Sequence, residues 1–93
     1  MLIEWSEYAY DDLAEIFRYF RETEKEELGY EIVGELFTST EILAKFPLSG
    51  RLGRVSETRE LVNQVFPYVV VYRIVSVDTI KILAVVHTSR LFP

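Results

Sequence analysis

The C-terminal half of the chain holds the residue types that could do chemistry. Guanidinium groups pair with phosphate and carboxylate through two parallel hydrogen bonds, and an imidazole exchanges protons near neutral pH. Five arginines and the single histidine follow Gly50, at Arg51, Arg54, Arg59, Arg73, His87 and Arg90. Gathered on one face, they would form a surface that binds a phosphate, a nucleic acid or an acidic partner.

His87 is the candidate for acid–base chemistry, since it ends the last predicted strand and Arg90 follows three residues later. Acid–base catalysis would need a second proton-transfer group, and none is visible beside His87 in the sequence. Arginine is a poor proton donor because its pKa exceeds about 12. The alternative interpretation is a strand-end histidine held by hydrogen bonds. The arginines have an alternative interpretation too: scattered surface charges with one ion pair, formed by Arg59 or Arg73 with Glu60.

The two halves of the chain differ in charge. The formal net charge is -5, but residues 1–48 carry twelve acidic and four basic residues, whereas residues 49–93 carry three acidic and six basic residues. The balances are therefore -8 and +3. Charge sorted in this way can leave a cationic face on an acidic molecule.

Composition excludes several classes of protein and of site. At 93 residues the chain is predicted to be a single domain over 1–93. It has no cysteine and one histidine, which excludes a thiol nucleophile and a multi-histidine metal site, and nothing indicates a cofactor. No apolar run approaches the roughly 20 residues that span a bilayer. The start lacks the features of a signal peptide, so a cytoplasmic location without membrane contact is expected.

The first half predicts a short strand and two helices. Leu2–Trp5 is an apolar run, and Ser6 offers an N-cap for an amphipathic helix of about four turns. Thr23 and Glu26 have the spacing of a capping box, which would start the second helix. The apolar stripe of that helix comprises Leu28, Ile32, Leu36, Leu43 and Phe46. Pro47 then ends the helical pattern, so the pair forms an αα-hairpin.

The second half changes to strand periodicity. Residues Gly50 to Ser56 are predicted to be a loop. Strands are predicted at Thr58–Val62, Tyr68–Val75 and Thr79–His87. The order β-α-α-β-β-β indicates an α+β fold, an antiparallel sheet that includes Leu2–Trp5, with both helices packed on one face.

Strand alternation places Arg73 on the same face as Val69 and Val71, with Val70 and Tyr72 on the other face. Because Arg59, Arg73 and Arg90 follow or lie on three β segments that should be adjacent, we expect them in one neighbourhood. That neighbourhood would lie on, or at the rim of, the sheet face that the helices leave open.

Five motifs of this sequence, in order and with matching spacing, resemble the RelE/ParE toxin superfamily. They are Ala9-x-x-Asp12-Leu13-x-x-Ile16-x-x-Tyr19, Phe46-Pro47-x-x-Gly50-Arg51, Thr58-Arg59-Glu60-Leu61, Tyr68-x-Val70-x-Tyr72-Arg73-Ile74 and Val86-His87-x-x-Arg90. The resemblance covers nearly the whole chain. It implies a β-α-α-β-β-β toxin of a type II toxin–antitoxin (plasmid stabilisation) module, with a cognate antitoxin as partner.

The resemblance implies two possible activities. ParE-like members inhibit DNA gyrase, whereas RelE-like members cleave mRNA on the ribosome with basic residues and a Tyr or His. This chain has Val69 where RelE-like members often carry an arginine, and Ser89-Arg90 where one branch carries a His-Tyr pair. The prediction is a ParE-like gyrase inhibitor without catalytic residues.

Its target would meet Arg51, Arg54, Arg59, Arg73, His87 and Arg90. The alternative is an mRNA endonuclease with Arg51, Arg54, Arg73, His87 and Arg90 near the scissile phosphate. In that case the catalytic residues would be His87, Arg73 and Arg90. Two further questions stay open. One is whether the protein is a family member with little toxicity, and the other is whether it forms a homodimer or a hetero-oligomer with the antitoxin.

Overall fold

A computed structural model describes residues 1–90 as two helices packed on one face of a five-stranded sheet. The strands are β1 (Leu2–Trp5), β2 (Arg51–Leu52), β3 (Arg59–Val62), β4 (Tyr68–Ile74) and β5 (Thr79–His87), and the helices are α1 (Glu7–Glu22) and α2 (Glu26–Thr40). Short 3₁₀ helices span Glu41–Ala44 and Thr88–Arg90. The strand order across the sheet is β1-β5-β4-β3-β2. Within residues 1–90, no helix is long and apolar enough to cross a membrane.

The α+β class and the helical hairpin are confirmed, but the fully antiparallel sheet is wrong. β2, β3, β4 and β5 pair antiparallel, whereas β1 runs parallel to β5, with Leu2 opposite Thr79 and Trp5 opposite Ile82. β1 joins the sheet through long-range pairing rather than a tight turn, so no hairpin forces it to run antiparallel. Its direction suits α1, which begins two residues after Trp5 and lies over the sheet.

The segment predicted as a loop contains the extra strand. Arg51 of β2 pairs with Glu60 of β3, and Leu52 pairs with Arg59. The turn between them is closed by the Gly53 N–H, which donates to the Thr58 carbonyl at 2.8 Å. A strand of two residues is too short to show period-2 alternation, which is why sequence pattern missed it.

Ser6 caps α1 as predicted, because its Oγ accepts from the Ala9 N–H at 3.1 Å. The capping box at Thr23 is wrong: Thr23 closes α1, and its hydroxyl donates to the Tyr19 carbonyl at 2.9 Å. The N-cap of α2 is Lys25, which makes no side-chain capping bond. The connection is so short that Thr23 still belongs to the last turn of the first helix.

The stripe predicted on the second helix holds as far as Leu43. Ile32, Leu36 and Leu43 are buried in the core and Leu28 packs against it, but Phe46 is 62% exposed. The chain passes from α2 into a 3₁₀ helix over Glu41–Ala44, with Lys45 as its C-cap. Phe46 therefore lies beyond the last helical turn, outside the stripe.

The core lies between the hairpin and one face of the sheet, here called the helix face. Val70 and Tyr72 of β4 are buried in it, which confirms the predicted alternation and leaves Val71 and Arg73 on the other, open face. The core residues are Ala9, Leu13, Ile32, Leu36, Leu43, Tyr68, Val70, Tyr72, Ile80, Ile82 and Val85.

A β-bulge in β5 is tied to the first helix. Val71 pairs with Ala84 while Tyr72 pairs with Ile82, so Leu83 is the extra residue. Asp12 of α1 accepts the Val85 N–H at 2.8 Å, and the Ser6 hydroxyl donates to the Leu83 carbonyl at 3.2 Å. A bulge leaves backbone groups without hydrogen-bond partners on the neighbouring strand. The side chains of Asp12 and Ser6 are the partners of these groups.

Replacing Asp12 by alanine is expected to destabilise the protein by about 1–3 kcal/mol, because the Val85 N–H loses its acceptor. Asp12→Asn keeps an acceptor oxygen and is expected to cost less. Asp11→Ala, an exposed neighbour on the same helix, serves as the control and should stay within about 0.5 kcal/mol of the parent. Urea unfolding of the three variants checks this, and equal losses at positions 11 and 12 would refute it.

Candidate functional site

Tyr72 anchors the loop that follows the hairpin to the sheet. Its hydroxyl donates to the Pro47 carbonyl at 2.7 Å and accepts the Gly50 N–H at 2.9 Å. Burial raises the pKa of Tyr72, while the hydrogen bond from Gly50 and the charge of Arg59 act against that rise. The Tyr72 hydroxyl is thus a structural hydrogen-bonding group with both of its roles in use.

Arg59 lies on the helix face beside Tyr72. It is the cross-strand partner of Tyr72, and its Nη1 donates to the Gly50 carbonyl at 2.7 Å. The same nitrogen is 3.5 Å from the Leu48 carbonyl. The guanidinium therefore holds the loop at residues 48–50 in place.

Arg51 and Glu60 form an ion pair on the open face of the sheet. The Arg51 Nε and Nη2 each lie 3.0 Å from Glu60 Oε1. The Glu60 side chain is 7% exposed and that of Arg51 is 54% exposed. The alternative interpretation of the arginines named Arg59 or Arg73 as the partner of Glu60. The partner is instead Arg51, because the β2–β3 register sets it directly opposite Glu60. Arg51 neutralises the buried carboxylate from its solvent-exposed side.

Arg73 is exposed on the open face, where its cross-strand partner is Lys81. Two cations side by side repel each other and attract an anionic group. By register the same face carries a row of apolar side chains from β3, β4 and β5. They are Val62, Val69, Val71, Ala84 and Val86. The open face thus combines an apolar centre with a cationic pair at one end.

His87 is the last residue of β5. It lies opposite Tyr68, the first residue of β4, and thus at the other end of that strand from Arg73. Its Nδ1 accepts the Ser89 N–H at 3.1 Å and lies 2.8 Å from the Ser89 hydroxyl. With Nδ1 as an acceptor, a neutral imidazole carries its proton on Nε2. The ring packs edge-on against Tyr68, at 5.2 Å between centroids.

A groove of about 690 Å³ separates this end of the sheet from α1. Its walls include Tyr19, Tyr68, His87 and Arg90, together with the carboxylates of Glu15 and Glu22. Burial raises the pKa of Tyr68, Tyr19 raises it further, and Arg90 acts in the opposite direction. The groove therefore mixes both signs of charge with aromatic walls.

The prediction that Arg59, Arg73 and Arg90 share one neighbourhood on the open face is wrong. Arg59 is opposite Tyr72, so it points to the helix face, while Arg73 is the next residue along β4 and points to the open face. Arg90 borders the groove beside Tyr68. Tyr68 lies four residues before Tyr72 on β4, which is about 13 Å along the strand. Arg54 lies exposed in the β2–β3 turn.

Two residues outside the predicted set of site residues organise these sites. Asp12 ties α1 to the bulge, and Tyr72 anchors the loop. Both lie within the motifs Ala9-x-x-Asp12-Leu13 and Tyr68-x-Val70-x-Tyr72 that carry the resemblance, which was the available signal.

A model of a protein family, described as the ParE toxin of the type II toxin–antitoxin system parDE, matches residues 3–92. The chain belongs to this family. A curated protein of Sinorhizobium fredii (strain NBRC 101917 / NGR234), named "Putative toxin Y4kP", is 38% identical over 91 residues, which are 98% of this chain and 92% of that protein.

A solved structure titled "Chromosomal ParDE TA system from P. aeruginosa" superposes with a TM-score of 0.83 at 21% identity, covering 94% of this chain and 95% of that one. At that identity the likeness shows the fold alone. The ParE family model, which matches nearly the whole chain, confirms the predicted resemblance and implies an antitoxin as partner.

Proposed function

We propose that this ParE-family chain, as one toxin domain over residues 1–93, inhibits DNA gyrase in the cytoplasm by binding and is neutralised by its cognate antitoxin. The observation that carries the proposal is the separation of the candidate residues. Arg73 lies on the open face, Arg59 on the helix face and His87 at the far end of β4. A binding surface tolerates such a spread, whereas a reaction centre does not.

The alternative, an mRNA endonuclease, would need His87, Arg73 and Arg90 around one phosphate. His87 pairs with Tyr68, whose side chain is buried on the helix face, while Arg73 points to the opposite face five residues away. Five residues of strand span about 17 Å, so the two side chains do not meet at one scissile bond. This geometry favours the inhibitor over the nuclease.

Within the proposed target-binding set of Arg51, Arg54, Arg59, Arg73, His87 and Arg90, the roles differ. Arg51 pairs with Glu60, and Arg59 donates to the Gly50 carbonyl. Both arginines therefore support the surface through contacts within the chain. Arg73 is exposed beside Lys81. We therefore propose Arg73 as the main contact of the open face.

The test is to induce the protein without its antitoxin and to follow DNA synthesis and mRNA 5′ ends together. If the protein inhibits gyrase, DNA synthesis in the cells should stop while bulk mRNA stays intact. In vitro, purified gyrase should lose its supercoiling activity when the protein is added. His87→Ala removes one residue of the proposed target-binding set, so it can weaken the arrest of DNA synthesis, but bulk mRNA should stay intact in this variant as in the parent. Codon-positioned mRNA cleavage that disappears in His87→Ala would establish the nuclease instead.

A further inference from the structure

Tyr68 is a buried residue whose hydroxyl group has no partner in the fold. It is only 9% exposed, yet its hydroxyl makes no hydrogen bond to any of residues 1–90. The oxygen is not sealed in, because the described residues include no buried side-chain oxygen that lacks a partner. It opens into the groove between α1 and the end of the sheet, whose wall Tyr68 forms.

Tyr72, four residues along the same strand, shows the usual situation. Its hydroxyl donates to the Pro47 carbonyl and accepts the Gly50 N–H. Buried tyrosine hydroxyls generally find such partners. The free hydroxyl of Tyr68 therefore indicates that a molecule in the groove supplies its partner.

Two further donors lie beside this hydroxyl. Burial is the main cause of the raised pKa of Tyr68, and the charges of Tyr19 and Arg90 act on it as well, which places both groups nearby. Arg90 forms no ion pair with any carboxylate in the part of the chain that the structure describes. Two hydroxyls and a guanidinium can thus donate to one anionic group, and the guanidinium fork suits a carboxylate or a phosphate.

The rest of the groove is suited to an apolar body. Ile16, Phe20 and Val85 contribute to its lining, and its volume of about 690 Å³ lies within the roughly 300–1,000 Å³ of small-molecule sites. A ligand that fills it would place an anionic group at Tyr68 and Arg90 and cover the apolar residues with the remainder.

The charge of the groove favours a carboxylate over a phosphate. Glu22 at the rim has no ion pair within residues 1–90, and Glu15 stays 67% exposed although Arg18 pairs with it. A phosphate monoester carries about -1.5 to -2 at pH 7, so these glutamates would repel it more strongly than a singly charged carboxylate.

We infer that the groove binds a carboxylate carried on an apolar body. The carboxylate accepts from the Tyr68 hydroxyl and the Arg90 guanidinium, and the apolar body lies against Ile16 and Phe20. A free small-molecule acid and the C-terminal carboxylate of another protein chain share this chemistry. The inference does not depend on the proposed inhibition of gyrase, whose main contact, Arg73, lies on the other face of the sheet.

The experiment is an NMR titration of the full chain with phenylacetate, followed through the backbone amides of residues 85–90. The expected result is saturable binding with a dissociation constant of about 1 mM or below, the range of a ligand of this size. Phenylacetamide, which has the same shape without the charge, should bind at least about tenfold more weakly. Absence of saturable shifts around the groove would overturn the inference.

Variants separate a ligand contact from a structural role. Tyr68→Phe removes only the hydroxyl and should raise the dissociation constant about tenfold, with the melting temperature of the parent, because that hydroxyl has no partner in the fold. Arg90→Gln should weaken binding at least about tenfold. Tyr30→Phe, at a position 62% exposed on α2, is the matched control and should bind like the parent. A lower melting temperature for Tyr68→Phe with unchanged binding would refute the assignment.

Two further probes define the ligand. Tighter binding of phenyl phosphate than of phenylacetate would overturn the choice of a carboxylate. Acetyl-Ala-Phe with a free C-terminus is compared with its C-terminal amide. If the free acid binds more tightly than both its amide and phenylacetate, the natural ligand is the C-terminus of a protein chain. If it binds more weakly than phenylacetate, the ligand is a free small acid, and either result supports the site.

Discussion

Arg73→Glu is expected to weaken the proposed inhibition of gyrase by about 30-fold or more. This is the effect of losing an arginine at the energetic centre of an interface, about 2 kcal/mol or above. Arg73 is exposed on the open face and stands beside Lys81. An acidic target group would meet both cations, so reversing one charge turns attraction into repulsion. The measurement is the toxin concentration that halves gyrase supercoiling in vitro.

The fold should survive this substitution, because the new carboxylate would face Lys81 across the strands and replace a like-charge pair by an opposite-charge pair. Lys25→Glu is the matched control: it makes the same charge change at an exposed position that begins α2. If both variants lose potency equally, net charge rather than the open face determines inhibition. If neither does, the target does not meet Arg73.

The main elements were predictable because their hydrophobic periods are long. The recurrence of Ala9, Leu13 and Ile16 predicted α1, and alternation around Tyr72 predicted which residues of β4 share a face, as the structure confirms. Two-residue β2 pairs locally with β3 but is too short to show a period. The parallel direction of β1 depends on its long-range pairing with β5, which no local pattern encodes.

The site was less predictable than the fold because it depends on register. Which face Arg59 takes is set by the turn between β3 and β4. There Asn63 Oδ1 accepts the N–H groups of Val65 and Phe66 at 2.9 Å, and Asn63 Nδ2 donates to Glu35 at 2.9 Å. A shift of one residue would exchange the two faces of β3. Sequence pattern placed Arg59 and Arg73 on neighbouring strands but could not tell that they point to opposite sides.

Gly50→Ala is expected to destabilise the protein by about 3 kcal/mol. A Cβ on Gly50 would lie 2.6 Å from Tyr72 Cε1, 2.7 Å from its hydroxyl and 2.9 Å from the Glu60 carbonyl oxygen. Tyr72 is fully buried, so its ring cannot swing away without opening the core. Overpacking of this kind costs about 1–3 kcal/mol, and displacement of the Gly50 N–H from the Tyr72 hydroxyl adds the cost of an unmade buried hydrogen bond.

For a domain of this size, that loss corresponds to a melting temperature lower by about 12–24 °C. Gly34→Ala is the internal control, since it places the same methyl group in open space on α2 and should raise stability by about 0.5–1 kcal/mol. The two substitutions therefore have opposite expected signs, and calorimetry of both separates crowding at Gly50 from any general effect of alanine. Tyr72→Phe should cost less than Gly50→Ala, because it removes the hydroxyl but introduces no clash. A parent-like melting temperature for Gly50→Ala would mean that the loop at residues 47–50 is not held against the Tyr72 ring.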